Sequence, residues 1–318
     1  MGVFVNNLIL IAEEGLMYAL LAMGMYITYS ILDFPDLSVD GTFPLGAVLT
    51  GVLIIHGVNP WLCLVIAFAA GMAAGMLTGL MNVKLKIIPL LCGIIMYTGM
   101  LSINLVLIKF GTGGSAIASF FTKNTIFNSS LATVIPKSVG GFTLRAVFIS
   151  LIIVIVCKIL LDLYLKTKNG LLLRATGDNE RYTTMLGKNS GTIKILGLML
   201  GNGFAALAGS VIAQRKGSAD QQMGVGMVVL GLASVIIGIS VFRRVKIMKG
   251  TTMVILGSII YKAAYQIVLA LGVPTDWNNL IKALIFLIAL IIGGAKFQAL
   301  FIKLFKSPKN REKDVEVT

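Results

Sequence analysis

The sequence predicts an all-α integral membrane protein of about nine transmembrane helices, with an inverted repeat and broken half-helices. Three observations carry that expectation. The chain is 57% hydrophobic and only 13% charged, with a mean hydropathy of +0.93, whereas a soluble domain is about 25% charged. Its apolar runs are continuous over the ~17–25 residues that a spanning helix needs, rather than alternating as barrel strands would. Its 35 glycines lie mostly inside those runs, where small residues let helices approach closely in lipid.

The net charge of +14 does not read as a nucleic-acid footprint, because the basic residues fall between apolar segments and in the tail. That is the bias of loops on the cytoplasmic side. Cys63, Cys92 and Cys157 lie in apolar stretches with no metal spacing, and read as small core residues. His56 stands alone. No His-rich cluster and no nucleophile–base constellation occurs, so no catalytic residue, metal or cofactor is assigned to this chain and an enzyme is not expected.

The spans run approximately over 15–32, 43–57, 60–81, 88–109, 146–163, 192–213, 224–242, 251–272 and 279–295. Residues 1–14 form an amphipathic external segment lying along the outer surface, with no basic region of a cleavable signal. Residues 15–295 are the membrane domain, and 296–318 are a charged cytoplasmic tail. Lys84, Lys86, Lys166, Lys168, Arg174, Arg243 and Arg244 place their connections inside. Nine spans then put the N-terminus outside. Residues 110–145 form a long external connection, and 164–191 a long cytoplasmic one. Trp61 and Trp277 read as interfacial anchors.

Residues 33–44, Asp-Phe-Pro-Asp-Leu-Ser-Val-Asp-Gly-Thr-Phe-Pro, interrupt what would otherwise be two consecutive lipid-soluble helices. A charge at the centre of a spanning helix costs about 2.5–3.5 kcal/mol, so Asp33, Asp36 and Asp40 should not face lipid. Two readings stand. The aspartates, with Ser38 and Thr42, line a translocation path, or they cap half-helices and hold the break open, with Asp40 a fair N-cap for the second span. Transporters place such breaks at corresponding positions of two repeats, and residues 214–223 form the second interruption. Asn104 and Asn202, inside apolar spans, read as interhelical hydrogen bonders.

Lys262 lies near the middle of the eighth span, between Tyr261 and Tyr265. Snorkelling from there exceeds a comfortable reach. The alternatives are a buried ion pair with Asp36 or Asp40, or a place with Tyr265 on a water-filled path.

In the cytoplasmic loop, Asp178 follows Gly177 as an N-cap and Glu180 complements the helix dipole. Gly187 is a left-handed stop. Between them a helix of about two turns offers Tyr182, Met185 and Leu186 for an apolar contact. Gly170, Arg174-Ala175, Gly177, Asn179 and Gly187 resemble the cytoplasmic loop of bacterial ABC-importer permeases of the branched-chain amino acid and ribose type. Asp36-Leu37-Ser38-Val39 resembles the DLSVG stretch of the ribose-type permeases, with Asp40 inserted before Gly41. Gly224 to Gly238 resembles their glycine-rich helix. The longer form Leu-Asp-Phe-Pro-Asp-Leu-Ser-Val-Asp-Gly looks like the branch labelled tryptophan/tyrosine-type permeases.

The resemblance implies a permease homodimer in the bacterial plasma membrane, two copies of a separate ATPase and an extracellular substrate-binding protein. It implies that Arg174, Gly177, Asp178, Asn179, Glu180, Tyr182, Met185 and Gly187 form the coupling helix that docks on the ATPase. Its cargo is a small amino acid-like solute, possibly an aromatic one in this branch. ATP-Mg is bound by the partner: no Gly-x-x-x-x-Gly-Lys-Ser/Thr occurs here, and Gly187-Lys188-Asn189 has Tyr182 where the first glycine is required. A secondary transporter driven by protons or sodium is the competing expectation.

Overall fold

The computed structural model describes residues 2–129, 144–185, 187–245 and 247–293, without the side chains of 2–5, Tyr182, Thr275 and Ile292. Leu186, the centre of the external connection and the tail from 294 onward lie outside the described residues. Among the described residues eleven α-helices run in the order α1 (Gly2–Met25), α2 (Val39–Ile55), α3 (Pro60–Lys84), α4 (Pro89–Thr112), α5 (Arg145–Lys166), α6 (Lys168–Asp178), α7 (Glu180–Met185), α8 (Ser190–Lys216), α9 (Met227–Phe242), α10 (Gly250–Ala270) and α11 (Asn278–Gly293). Among the described residues seven segments are long and apolar enough to cross a membrane, and α2 and α11 are shorter apolar helices. The expected nine are therefore present. The sole sheet among the described residues pairs Ala118–Ser119 antiparallel with Ser218–Ala219.

Local chemistry sets the helix starts. Pro60 and Pro89 occupy first-turn positions, where a missing N–H costs nothing. Asn59 accepts from the Trp61 amide at 2.9 Å, and Asn189 accepts from the Gly191 and Thr192 amides. Gly113 and Gly217 end α4 and α8 in the left-handed region.

Two boundaries differ from the sequence reading. Residues before Gly15 do not form a separate element: α1 is continuous from Gly2, and its spanning segment begins at Asn6. Glu13 and Glu14 tie this stretch to the bundle, pairing with Arg215 of α8 and Lys262 of α10. In the cytoplasmic loop, the expected single helix from Asp178 is two helices. The longer, α6, ends at Asp178 instead of starting there, and the residue between the two is Asn179.

The same pairings occur in both halves. α3 packs on α8 as α10 packs on α1, and α2 packs on α4 as α9 packs on α11. An inverted repeat requires this matched set. α8 is the most enclosed of the spans and lies against both α2 and α3.

Lipid is as apolar as leucine, so helices associate here by close packing and polar contacts. At the α2–α8 crossing a side chain on Gly46 would run into the Ala206 carbonyl, and one on Gly209 into the Phe43 carbonyl. Thr50 donates to Ser210 at 2.6 Å across the same crossing. Ser258 of α10 donates to the Gly15 carbonyl of α1 at 2.8 Å. Overpacking of this kind costs about 1–3 kcal/mol. Gly209→Val should therefore lower the unfolding temperature in detergent, whereas an unchanged melting curve would show that the α2–α8 contact is looser than described.

Candidate translocation and coupling sites

The first break is built by a widened turn. After Met25 the helix loosens into a π turn over Tyr26–Ile31, the Leu32 amide bonds the Ile27 carbonyl and the Phe34 amide bonds that of Thr28. Asp33 takes a left-handed φ of +53°, a conformation that aspartate tolerates better than most residues. Pro35 disfavours helix in the residue before it. The chain then turns inward, and Asp36 becomes 1% exposed.

Buried carboxylates need partners, and Asp36 has them. One oxygen accepts from the Ser38 amide at 2.9 Å and the Ser38 hydroxyl at 2.6 Å. The other accepts from the Asn202 side-chain amide at 2.7 Å. Asn202 in turn accepts from Thr42 at 2.7 Å. Asn202 is the thirteenth of the 27 residues of α8, so this cluster sits halfway along the central helix. Asp36, Ser38 and Thr42 are all essentially inaccessible. They clamp the break to α8 rather than open onto a cleft.

Asp40 does not cap its own helix. Ser38 is the N-cap of α2 and makes no side-chain capping bond, while Asp40 stands in the first turn. Its carboxylate instead accepts from the Val228 amide at 2.7 Å, in the first turn of α9. An anion is favoured there by the unpaired amides of the helix end. The second break prepares that end. Asp220 accepts from the Met223 amide at 3.0 Å, a 3-10 turn spans Gln221–Gly224, and Gly226 adopts φ +76°. The two interruptions thus meet, joined by Asp40. A cleft of about 660 Å³ opens beside it, lined by Tyr97, Leu101 and Leu105 of α4 and by Asp220, Gln221, Gln222 and Val225.

Lys262 is 7% exposed and forms an ion pair, but with Glu14 at 3.0 Å, not with Asp36 or Asp40. Its ammonium also lies 4.1 Å from the Tyr18 ring centre and 5.0 Å from that of Tyr265. The Tyr265 hydroxyl donates to Asn278 at 2.6 Å. Glu13, one residue earlier, pairs with Arg215. The aspartates are committed to the two breaks, which leaves α1 to supply the counter-ions.

The helical loop is seated under the first break. Gly177 of α6 lies against the Ile31 carbonyl so closely that no side chain would fit. Leu173 is fully buried, and a side chain on Gly197 of α8 would meet both Leu173 and Leu32. α6 starts at a Thr167 cap and ends at Asp178, and Asn179 accepts from the Arg181 amide to start α7. Thr176 and Thr183 hydroxyls lie 3.2 Å apart between the two helices. Glu180 ties α7 to α8 through Lys194 at 2.6 Å and Ser190 at 3.1 Å. Arg174 is exposed, Met185 is 83% exposed, and Gly187 has φ +68°. Tyr182 belongs to α7.

At the same end Asp162 of α5 binds Lys158, Lys249 and Thr251, joining α5 to the start of α10. Sequence reasoning missed this hub, together with Tyr97, Gln221 and Gln222, which line the cleft. None of these residues stands out in a local window. Among the described residues, no group of three or more metal-ligating side chains occurs.

Discontinuous spans that meet through a carboxylate, with a helical loop pressed against one of the breaks, define a multi-pass transport permease. The comparisons agree. A family model described as the branched-chain amino acid transport system permease component matches residues 7–290, and the chain belongs to that family. It is 37% identical over 311 residues to the tyrosine transport system permease protein of Clostridioides difficile, covering 98% of this chain and 99% of the relative. It is 27% identical over 294 residues to the autoinducer 2 import system permease protein LsrC of Salmonella paratyphi B, covering 91% of this chain and 79% of the relative. It is also 30% identical over 290 residues to an uncharacterized protein of Rickettsia prowazekii. No solved structure matches. The chain is the permease of an ATP-binding-cassette importer for a small solute, a transport subunit and not an enzyme, and the ion-driven alternative falls away.

The Lys194 ammonium holds the Glu180 carboxyl below the usual glutamate range, with help from the Ser190 hydroxyl. A depressed carboxyl stabilises while it is ionised. The α7–α8 tether is therefore complete above the ordinary value of about 4.3 and is lost as pH falls through the lowered one. Glu180→Gln should raise amide exchange across Arg181–Met185 at neutral pH. In the parent protein that rise, corrected for intrinsic pH dependence, should come only in stronger acid than an ordinary glutamate needs.

Proposed function

We propose that this permease works as a homodimer in the bacterial plasma membrane, with two copies of a separate ATPase and an extracellular substrate-binding protein. The end bearing Lys84, Lys86, Lys166, Arg174, Arg243 and Lys249 faces the cytoplasm, as does the C-terminal tail, and the N-terminus lies outside. ATP-Mg binds the partner ATPase. The cargo is a small amino acid; the tyrosine permease among the relatives makes an aromatic one the favoured choice.

The observation that carries this reading is the seat of α6 against Ile31. The loop that a partner would move is in contact with the last turn before the break. In the proposed cycle the ATPases grip α7 and the exposed part of α6 through Arg174, Asp178, Asn179, Tyr182 and Met185. Closure of the ATPases shifts α6, and Gly177 transmits that shift to Ile31 and Leu32. A ligand shifts an equilibrium only through contacts that differ between its states, and the Asp36–Asn202 clamp and the Asp40–Val228 bond are the contacts proposed to differ. Asp40 lines the path; Asp33, Asp36, Ser38 and Thr42 hold the break, and Lys262 with Tyr265 holds α10 on α1 and α11.

Co-purification tests the assignment. The tagged permease, expressed with an ATP-binding-cassette ATPase subunit from the same bacterium, should retain that ATPase through size exclusion. Met185→Asp, a change at an exposed position, should abolish retention while leaving the permease monodisperse. Equal retention by the variant would move the docking surface away from α7.

A further inference from the structure

A second cavity, of about 620 Å³, lies at the end of the bundle that carries the helical loop. Its walls come from the first break, α5, α6 and the start of α10. Three basic side chains line it: Lys166 of α5, Arg174 of α6 and Lys249 just before α10. Among the described residues, the side chains of Lys166 and Arg174 make no hydrogen bond or ion pair, and Arg174 does not close on Asp178 one turn further along α6. Asp162 is already matched, by Lys158 at 2.9 Å and Lys249 at 3.0 Å. Asp178 is the other carboxylate on the wall, so four basic side chains stand against two acidic ones. Tyr26 links the walls. Gly250 has no side chain, and the Tyr26 hydroxyl takes the space that one would fill. That hydroxyl lies within the fields of both Arg174 and Asp162, and Lys166 follows Asp162 by four residues on the same face of α5. The Tyr26 and Ser30 hydroxyls have no partner among the described residues.

We propose that this cavity binds the phosphate of an anionic lipid of the cytoplasmic leaflet, bridging Arg174 of α6 to Lys166 and Lys249. The inference goes beyond the transport reading and takes from it only the cytoplasmic position of this end. Basic pockets between membrane helices on that side take lipid headgroups. The level fits: Lys166 is the last residue of the spanning α5 and Gly250 the first of the spanning α10, so the cavity lies where hydrocarbon gives way to water. The flank fits as well. Ile159, Leu160 and Leu163 of α5 are each more than half exposed, and so is Leu171 of α6, which lines the cavity. Acyl chains can run along α5 from a headgroup held at its end, an apolar flank that neither a soluble anion nor an acidic side chain of the ATPase would use. A phosphodiester offers two free oxygens with one negative charge, and a guanidinium fork meets such a pair directly. Headgroup hydroxyls, such as those of phosphatidylglycerol, find Tyr26, Ser30 and the Asp178 carboxylate. Among the described residues no ion pair joins α6 to α5 or α10. The headgroup supplies that tie and holds the loop in its seat against Ile31.

Amide exchange of the full-length permease in nanodiscs gives the test. With phosphatidylglycerol mixed into phosphatidylcholine, exchange across residues 171–178 should slow at least about fivefold relative to phosphatidylcholine alone, the slowing expected of a ligand at about four times its Kd. Lys166→Gln should remove most of that slowing while leaving exchange in phosphatidylcholine unchanged. Lys249→Gln should also remove it, and Asp162 keeps Lys158 and Thr251 in that variant. Lys84→Gln, which removes a charge outside the cavity, should keep it. Arg174 is left intact, because it also serves the proposed ATPase contact. No slowing by phosphatidylglycerol, slowing that survives in Lys166→Gln, or slowing lost equally in Lys84→Gln would overturn the proposal. So would the same Lys166-dependent slowing produced in phosphatidylcholine by inorganic phosphate or by the ATPase subunit, which would make the occupant a free anion or a protein carboxylate. Nanodiscs present both leaflets and the lipid arms need no ATPase. Failure here therefore leaves the orientation and the importer assembly standing, and loss of ATPase retention leaves this inference standing.

Discussion

Everything in the membrane domain is arranged around one buried carboxylate. Asp36 lies among apolar helices with no cation beside it, and it is held by the Ser38 amide and hydroxyl and the side chain of Asn202. Hydrogen bonds to a charged group contribute about 1.5–3 kcal/mol each, and a buried polar group stripped of its partner costs a similar amount. The arrangement therefore either closes completely or is strongly unfavourable. That makes it suited to a position where the chain must be broken and yet held in one place. Thr42 completes the ring from the first turn of α2, so a single side chain on α8 fixes both sides of the interruption.

From this point the two halves become one device. α2 leaves the clamp and presents Asp40 to the start of α9, so the helix that follows one break caps the helix that follows the other. On the opposite side, Ile31 and Leu32, which lead into the clamp, rest on α6 of the cytoplasmic loop. A displacement of α6 cannot be absorbed locally, because Gly177 leaves no space between the loop and the Ile31 carbonyl. In the proposed cycle, the contact that denies a side chain to Gly177 is the one that carries motion from the ATPase. The Glu13–Arg215 and Glu14–Lys262 pairs tie the middle of α1 to α8 and α10.

Much of the fold was legible because membranes simplify the problem. Continuous apolar runs located the nine membrane helices found among the described residues, and the carboxylates of 33–40 marked the break. What could not be read was decided across the chain. Asp40 looks like the cap of its own helix, and only the tertiary fold shows it capping Val228, 188 residues away. Lys262 was expected to find an aspartate, but its partner Glu14 is 248 residues distant in a segment assigned to the surface. α6 was missed because Gly170 and Gly177 lower helix propensity. Both glycines are there for contacts with other elements, Gly177 with Ile31 and Gly170 with the end of α5. Asn202 was recognised as a hydrogen bonder, but nothing local names Asp36 as its partner.

The claim that the Asp36–Asn202 contact organises the break is tested most directly by a double-mutant cycle. Asp36→Ala, Asn202→Ala and the double variant are compared by reversible unfolding in detergent. The account predicts a coupling energy of at least about 1 kcal/mol, within the range measured for residues that share a network. Additive losses, with no coupling between the two positions, would contradict it.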